Sequence, residues 1–225
     1  CKQKGIRIYW NGPRDYYELP GQGGIGIHDS LVYSLPIAEA AETELTVRVR
    51  LMGQASPTAR AISFGVVQDE TTATADNYSL PSAIELPADA YLVDVPVTIK
   101  RAGLKDRSVV LVLEIKDNQN FTAGFERGRK TKLVWGDMYL KPDNWDSTIY
   151  LACWGEFSQV KYGFILETCK ITELPLPTDI YTLGYYNAKV REALYEYNLN
   201  NPPLMDENEG LVIIPVWNGG GGGVG

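Results

Sequence analysis

The stretch Leu45-Thr46-Val47-Arg48-Val49-Arg50-Leu51 decides the fold class of this chain. Apolar side chains occupy every second position, and threonine or arginine stands between them. Successive side chains of a β-strand point to opposite faces of the sheet, so the stretch predicts a half-buried strand with one face in water.

Similar runs lie nearby in the sequence. Residues 62–66 and 93–99 repeat the alternation, and residues 109–115 are nearly all apolar, as expected of a central strand. Pro96 has no N–H to donate, so we expect its strand to lie at a sheet edge or a bulge. Several short strands separated by turns such as Ala102-Gly103 predict a β-sandwich.

The pattern changes after about residue 136. Residues 157–169 fit a helix or a strand, because short apolar runs are ambiguous. A clear helix follows, capped by Thr178 or Asp179 and ending near Asn198. Residues 211–214 predict a last strand. The helix carries one apolar stripe: Leu183, Tyr186, Val190, Leu194 and Tyr197.

These patterns divide the chain into four parts and set the fold class. We predict a tether over residues 1–24, a β-sandwich over 25–135, an α+β region over 136–217 and a flexible glycine-rich tail over 218–225. The predicted fold class is α+β, with an N-terminal immunoglobulin-like β-sandwich followed by a smaller, largely helical C-terminal region.

Cys1 and the charge balance predict where the protein lies. A chain that begins at cysteine and continues with polar residues is typical of a lipoprotein cleaved before a lipid-modified Cys1. No apolar run approaches the roughly 20 residues that span a bilayer, so we expect membrane contact through this lipid anchor alone. The net charge of -7 argues against nucleic acid as a partner.

Cys153 and Cys169 are the remaining cysteines if Cys1 carries lipid. They could form a disulfide outside the cytoplasm, or they could be buried thiols packed as small apolar groups. The sequence leaves both interpretations open.

One series of motifs resembles a known family. Lys141-Pro142-Asp143-Asn144-Trp145-Asp146 is followed by Tyr150-Leu151, Gly155-Glu156-Phe157-Ser158 and Lys161-Tyr162. This order is similar to the hallmark of the DUF4843 family of Bacteroidetes surface lipoproteins, although Asn144 replaces a tryptophan and Ala152-Cys153-Trp154 is inserted. Further similar segments lie in the predicted sandwich: Ala75-Asp76-Asn77-Tyr78-Ser79-Leu80-Pro81, Leu111-Val112-Leu113-Glu114-Ile115 and Phe121-Thr122-Ala123-Gly124. Some landmarks also resemble Calx-β immunoglobulin-like folds.

The resemblance implies a surface-exposed lipoprotein of the outer membrane, encoded beside import systems of the SusC/SusD type that capture glycans or peptides. We therefore expect a non-catalytic accessory binding or scaffold subunit of such an uptake system, with a SusC/SusD-type transporter complex and a carbohydrate or peptide as possible partners. The alternative is a surface hydrolase or hydrolase adaptor, which converging carboxylates near Asp143 and Asp146 would favour. A purely structural spacer is a third possibility.

The literal matches to catalytic and cofactor motifs lack the sequence context that those motifs require. Gly21-Gln22-Gly23-Gly24-Ile25-Gly26 matches a dinucleotide-binding pattern literally, but Pro20 precedes it and alternating residues follow it, where a strand and a helix are required. His28 is the single histidine, and no G-x-S-x-G serine accompanies it. We predict no catalytic residue, no metal site and no cofactor.

Three tryptophans are candidate ligand-binding residues. Trp135, Trp145 and Trp154 could stack against sugar rings, or they could pack where the sandwich meets the C-terminal region.

Two serines are candidate modification sites. Asp29-Ser30-Leu31 and Asp146-Ser147-Thr148 fit the short O-glycosylation pattern of this bacterial group, which makes Ser30 and Ser147 candidate acceptors. Ser147 could instead serve the fold through turn hydrogen bonds.

Overall fold

A computed structural model describes residues 7–10, 30–37, 40–124 and 126–219. The chain forms two compact units, and the division falls between Asp137 and Met138. The boundary expected from the sequence lies two residues earlier, after residue 135.

The N-terminal unit is a β-sandwich. In the described part of the chain its strands form two five-stranded sheets, one in the order β5-β7-β3-β1-β9 and the other in the order β2-β10-β8-β4-β6. The strands are β1 (Arg7–Trp10), β2 (Ser30–Ser34), β3 (Glu42–Met52), β4 (Arg60–Val66), β5 (Tyr78–Ser79), β6 (Ile84–Leu86), β7 (Leu92–Lys100), β8 (Ser108–Lys116), β9 (Thr122–Ala123) and β10 (Lys130–Gly136). Short helical turns occur at Leu35–Ile37, Gln68–Glu70 and Glu126–Arg129, the last of which is α1.

The alternating residues build the core of this sandwich. Leu45 and Val47 on β3 are buried opposite Val97 and Val95 on the antiparallel strand β7. Leu111 on β8 is buried in the same apolar cluster, although it belongs to the other sheet. Each such side chain contributes about 1.5–3 kcal/mol when it leaves water, so the alternation drives the two sheets together. The prediction of a β-sandwich is confirmed.

Pro96 occupies a local edge within a strand that is internal to its sheet. The strand β7 lies between β3 and β5, but β5 pairs only with Thr98 and Ile99. Beside Pro96, which lies opposite Thr46 on β3, no further strand residue is paired in the described part of the sheet. The missing N–H therefore does not interrupt a second ladder.

The prediction of a tether is wrong for Arg7–Trp10, because this segment is a β-strand. It forms β1, which pairs antiparallel with β3 and parallel with β9. The side chain of Ile8 is fully buried in the core. The stretch is only four residues long, so its alternation was too short to distinguish from a polar linker. The rest of residues 1–24 lies outside the described residues.

In the C-terminal unit the helices are α2 (Thr148–Trp154), α3 (Gln159–Cys169) and α4 (Ile180–Asn200). The ambiguous residues 157–169 are thus helical from Gln159 onward. The predicted Asp179 cap is confirmed, because its Oδ1 accepts a hydrogen bond from the Thr182 N–H at 3.1 Å.

Residues 211–214 do not form the strand expected from the sequence. Leu211 makes one isolated bridge to Met205 across a tight turn, and no named strand includes this segment. Val212 and Ile214 are buried, whereas Leu211 and Ile213 point outward. The alternation therefore marks an extended segment of the C-terminal unit that buries every second side chain without joining a sheet.

Candidate functional site

Trp145 is a buried side chain that contacts several segments of the C-terminal unit. Its Nε1–H donates to the carbonyl oxygen of Gly155 at 3.0 Å. Its ring meets Phe157 and Tyr162 edge to face, with centroid distances of 5.1 and 5.6 Å. Aromatic pairs of this geometry add about 0.5–1.5 kcal/mol to their area burial. The motif that contains Trp145 is thereby joined to the one that contains Gly155 and Phe157.

The residues after Trp145 start helix α2. The Oγ of Ser147 accepts a hydrogen bond from the Tyr150 N–H at 3.4 Å and caps the helix. Asp146 forms an ion pair with Lys141 at 2.7 Å, and both side chains are largely in solvent. Exposed pairs of this kind contribute little to stability.

One hydroxyl side chain, that of Ser158, and one carboxylate, that of Glu207, cap the N-terminus of α3. The Oγ of Ser158 accepts from the Lys161 N–H at 3.1 Å. The carboxylate of Glu207, far along the chain, accepts from the N–H groups of Gln159 and Val160 at 2.8 and 3.3 Å. The first N–H groups of a helix have no partner within the helix, and a negative charge there is favourable. The segment after α4 is therefore fixed to the start of α3.

Lys161 is a buried cation, with only 7% of the residue exposed. Its Nζ donates to the carbonyl oxygens of Trp154 at 3.0 Å and Glu156 at 2.6 Å. Burial lowers the pKa of this ammonium group, and the nearby charges of Glu156 and Asp206 oppose that effect. The lysine thus satisfies main-chain carbonyls at the end of α2.

Gly155 allows the chain to turn above Lys161. Its φ is +73°, in the region that favours glycine, and a Cβ there would lie 3.4 Å from Lys161 Nζ and from Pro215. The turn brings the motif residues 155–158 against the extended segment near Pro215.

Between these elements lies an open groove of about 280 Å³, here called the motif groove. It has an apolar side and a charged side. The apolar side consists of Phe157, Leu211, Ile213 and Pro215, and Gly155, Glu156, Ser158, Lys161 and Asp206 complete the lining. Both carboxylates are accessible to some extent, because Glu156 is exposed and Asp206 is half-buried.

The rim of the motif groove is held by side-chain to main-chain hydrogen bonds. Asp206 Oδ1 accepts from the N–H groups of Asn208 and Gly210, both at 2.8 Å. Behind the groove, the buried Asn187 donates through Nδ2 to the carbonyls of Cys153 at 2.6 Å and Pro215 at 3.0 Å. The groove is therefore pre-formed, as ligand-binding clefts usually are.

The sequence of residues 9–171 matches the model of DUF4843, a domain of unknown function. The chain belongs to the DUF4843 family. The match covers more than half of the sequence and includes the motifs that contain Trp145, Gly155 and Lys161. The comparison with curated proteins returned no match.

Solved structures resemble the chain only distantly. The apo form of the Calx CBD1 domain is 13% identical, with a TM-score of 0.40, and the match covers 59% of this chain and 96% of that one. CBD12 of CALX1.2 is 10% identical with a TM-score of 0.40, over 58% of this chain and 44% of that one. A Bacteroides ovatus protein of unknown function is 18% identical with a TM-score of 0.38, over 57% of this chain and 43% of that one. The chain thus covers less than half of the last two, and TM-scores below 0.5 carry no functional argument.

In this DUF4843 protein the three candidate tryptophans cannot stack on a ligand. Trp135, Trp145 and Trp154 each have 0% of their surface exposed. Trp135 lies in the core of the sandwich, and the other two lie inside the C-terminal unit. The interpretation as a sugar-stacking platform is wrong, because large aromatic side chains gain most by leaving water and no ring face remains open.

Cys153 and Cys169 are buried free thiols, so the disulfide alternative is wrong. Burial raises the pKa of Cys153 to about 12 and that of Cys169 to about 11. Thiols of this kind are chemically inert, because the thiolate is the reactive form.

The remaining candidate residues stay predictions. Cys1, the proposed lipid attachment site, lies outside the described residues, as do His28 and the glycine-rich stretch beside it. Ser30 opens β2, but its side chain lies outside the described part. Ser147 is the cap of α2, which gives its hydroxyl a structural task whether or not it carries a sugar.

Within residues 7–10, 30–37, 40–124 and 126–219, no group of three or more metal-ligating side chains converges on one point. In the same ranges, no helix is both long and apolar enough to cross a bilayer.

The family motifs contain about half of the residues that line the motif groove. Residues 155–161 stood out through the family resemblance, whereas Asp206, Leu211 and Ile213 did not. Their signal was the Asp206-x-Asn208-x-Gly210 turn followed by alternating apolar residues. That signal predicts a turn and an extended segment, but it does not say that the segment returns to α3.

Proposed function

We propose that this chain is a non-catalytic surface lipoprotein, anchored in the outer membrane through Cys1, that serves as an accessory binding or scaffold subunit of a glycan or peptide uptake system of the SusC/SusD type. Membership of the DUF4843 family supports the proposal. We also propose that the sandwich is immunoglobulin-like and that the C-terminal unit is the smaller, largely helical part of an α+β fold.

The motif groove is the observation that carries the binding function. Its volume of about 280 Å³ lies just below the range of ligand pockets, which hold about 300–1,000 Å³. A groove of this size suits a short segment of a larger molecule better than a whole drug-sized ligand. Of the two ligand classes, peptide is favoured, because the tryptophans expected to stack on sugars are buried.

The chemistry of the groove favours a basic peptide side chain. Glu156 and Asp206 supply negative charge, and Lys161, the one cation among the described lining residues, already donates to two carbonyl oxygens. The exposed side chains of Leu211 and Ile213 offer an apolar surface beside these carboxylates. A lysine or arginine of the ligand would lay its aliphatic stem on that surface and bring its charge to the carboxylates.

The groove supports binding better than catalysis. Asp206 Oδ1 is fixed by two main-chain N–H groups, and Lys161 is fixed by two carbonyls. Asp143 and Asp146, whose convergence would favour a hydrolase, do not line the groove. The hydrolase alternative has no specific observation in its favour.

A peptide titration tests the groove. We expect acetyl-Leu-Lys-Leu-amide to shift the NMR signals of residues 155–161 and 206–215, and acetyl-Leu-Glu-Leu-amide to leave them unchanged. Ile213→Ser should strongly weaken the shifts, because it removes the apolar surface for the lysine stem and adds no charge. Val216→Ser is the matched control, since Val216 and Ile213 are 63% and 64% exposed and Val216 does not line the groove. Equal responses to both peptides, or equal effects of both variants, would exclude the groove as the site.

Purification from the outer membrane of the native host tests the wider role. Stoichiometric recovery of a large β-barrel transporter together with acylated Cys1 is the expected result. Recovery of the protein alone would exclude the uptake-complex role while leaving the peptide titration valid. Release of shortened peptides during the titration would instead favour a hydrolase.

A further inference from the structure

Helix α4 (Ile180–Asn200) has two opposite faces that both carry apolar side chains. The inner face is buried and consists of Leu183, Asn187, Val190 and Leu194. The outer face follows steps of four and three residues along the whole helix: Tyr181, Tyr185, Ala188, Glu192, Tyr195 and Leu199. At 100° per residue these six positions fall within about 80° of one another, on the side away from the inner face. We call them the outer seam.

The outer seam lies in solvent. Tyr181, Tyr185, Tyr195 and Leu199 are 87%, 65%, 67% and 66% exposed. Isolated exposed apolar residues are ordinary, but two pairs of large ones along one face of a single helix, with Ala188 and Glu192 between the pairs, indicate an interaction surface. The alternation of steps of four and three is the spacing by which one helix packs against another.

The order of side chains in the seam is symmetric about the middle of the helix. Tyr181 and Leu199 each lie nine residues from Val190, and Tyr185 and Tyr195 each lie five residues from it. Ala188 and Glu192 are each two residues away. Consider an antiparallel pair of identical helices whose two-fold axis passes the seam at the height of Val190. In this pair every large apolar residue of one seam would meet a large apolar residue of the other. The smallest residue, Ala188, would face the acidic one, Glu192.

Of the three charged residues beside the seam, Lys189 and Arg191 fit the same arrangement, and the third, Glu196, lies about 60° from the centre line. Lys189 and Arg191 flank the seam on its two sides, at about 80° in either direction from its centre line. Glu192 of one copy would then lie between the basic side chains of the other, opposite Ala188, where there is room for its carboxylate. A parallel arrangement would instead place the two Glu192 carboxylates side by side, which like charges oppose.

We propose that the outer seam is the docking site for a second copy of this chain, in an antiparallel, two-fold symmetric pair centred on Val190. The inference stands apart from the motif groove and goes beyond the proposed binding function. The seam is about 27 Å long, from 18 steps of about 1.5 Å, so the pair is small and its strength depends on concentration.

Sedimentation equilibrium of the full chain tests the pair. We expect a reversible monomer–dimer equilibrium, and we expect Tyr185→Glu to raise the dissociation constant by about 30-fold or more, because the substitution acts once on each copy. Tyr91→Glu is the matched control, since Tyr91 is 58% exposed and lies in the other unit. Circular dichroism of each variant checks that its helices are retained. A chain that stays monomeric at all concentrations, or that responds equally to both variants, overturns the proposal.

Cross-linking tests the direction of the two helices. In a Cys1→Ser background, Tyr181→Cys and Leu199→Cys proteins are treated with a short bismaleimide, first separately and then mixed. The antiparallel pair predicts a covalent dimer in the mixture only, since identical positions would lie about 27 Å apart. Cross-linking of Tyr181→Cys protein with itself would show a parallel pair and overturn the proposal, as would the absence of any cross-link. The buried thiols of Cys153 and Cys169 are common to all variants.

Discussion

Both units of this protein bury apolar side chains, but they differ in where their buried polar side chains form hydrogen bonds. In the sandwich, alternating aliphatic side chains such as Val47 and Val95 leave water together, and the buried side chain of Asn77 accepts hydrogen bonds from Thr74, only three residues away. In the C-terminal unit, polar side chains such as Asn187, Lys161 and Glu207 bond to main-chain groups of other elements. Apolar burial tolerates exchange of one aliphatic residue for another, whereas a hydrogen bond to a particular carbonyl does not. The C-terminal unit therefore depends on single residues more than the sandwich does.

The largest expected effect comes from removing the side chain of Trp145. Trp145→Ala should lower the free energy of unfolding of the C-terminal unit by about 3–5 kcal/mol, because it leaves a large cavity and an unpaired Gly155 carbonyl. Hydrogen exchange should show loss of protection in α2 and α3 while β3 and β8 keep theirs. Trp135→Ala should give the reverse pattern. Simultaneous loss of protection in both units would show that they unfold together.

Asn187→Leu tests how much a buried hydrogen-bonding side chain contributes to the C-terminal unit, because it keeps the approximate size of the side chain and removes its donors. Two carbonyls, those of Cys153 and Pro215, would lose their partner. We expect a loss of about 2–3 kcal/mol in urea unfolding. Asn198→Leu on the same helix is the control, since Asn198 is exposed and accepts one hydrogen bond from Leu204. Equal losses for the two variants would contradict the importance of the buried amide.

Glu207→Gln separates charge from hydrogen bonding at the start of α3. The amide oxygen can still accept from Gln159 or Val160, but the negative charge at the helix N-terminus is lost. We expect a decrease of about 0.3–1 kcal/mol that becomes smaller in high salt. Glu209→Gln in the same turn should change stability less, and a larger effect there would argue against the helix terminus as the cause.

The smallest effect concerns Tyr139 at alkaline pH. Its hydroxyl donates to Glu167 at 2.8 Å, and burial, together with this bond, raises the pKa of Tyr139 to about 12. Because the pKa is higher in the folded state than the ordinary value of about 10, the contribution is complete below about pH 10 and is lost as pH rises toward 12. Urea unfolding at several pH values should show a steeper fall for the natural protein than for Tyr139→Phe. Parallel curves would rule out this linkage.

The sandwich could be predicted because its signal is local and repeated. The strands around Leu45 and Val93 each carry their own alternation over seven residues, and residues 109–115 form a nearly continuous apolar run, so neighbouring sequence was sufficient. The Asp179 cap identified α4 for the same reason. Arg7–Trp10 is too short to show a period, and its burial depends on β3 and β9, which come later in the chain.

The candidate site could be predicted only in part because its two halves come from distant segments. The motif residues 155–161 form one side of the groove, and the partners of α3, Glu207 and Asp206, follow after the whole of α4. Long-range hydrogen bonds of this kind leave no periodic trace. The tryptophans were misassigned because composition does not distinguish a buried indole from an exposed one.

The Glu207 cap has a consequence for the order in which the protein matures during synthesis. Chains leave the ribosome with the N-terminus first, so all strands of the sandwich emerge before α3 is complete. The acceptor for Gln159 follows 48 residues later, and the Pro215 carbonyl that holds Asn187 follows later still. Until those residues emerge, α3 and α4 are helices without their final anchors. The C-terminal unit therefore closes last, which makes it the part most exposed to proteases and chaperones in a newly made molecule.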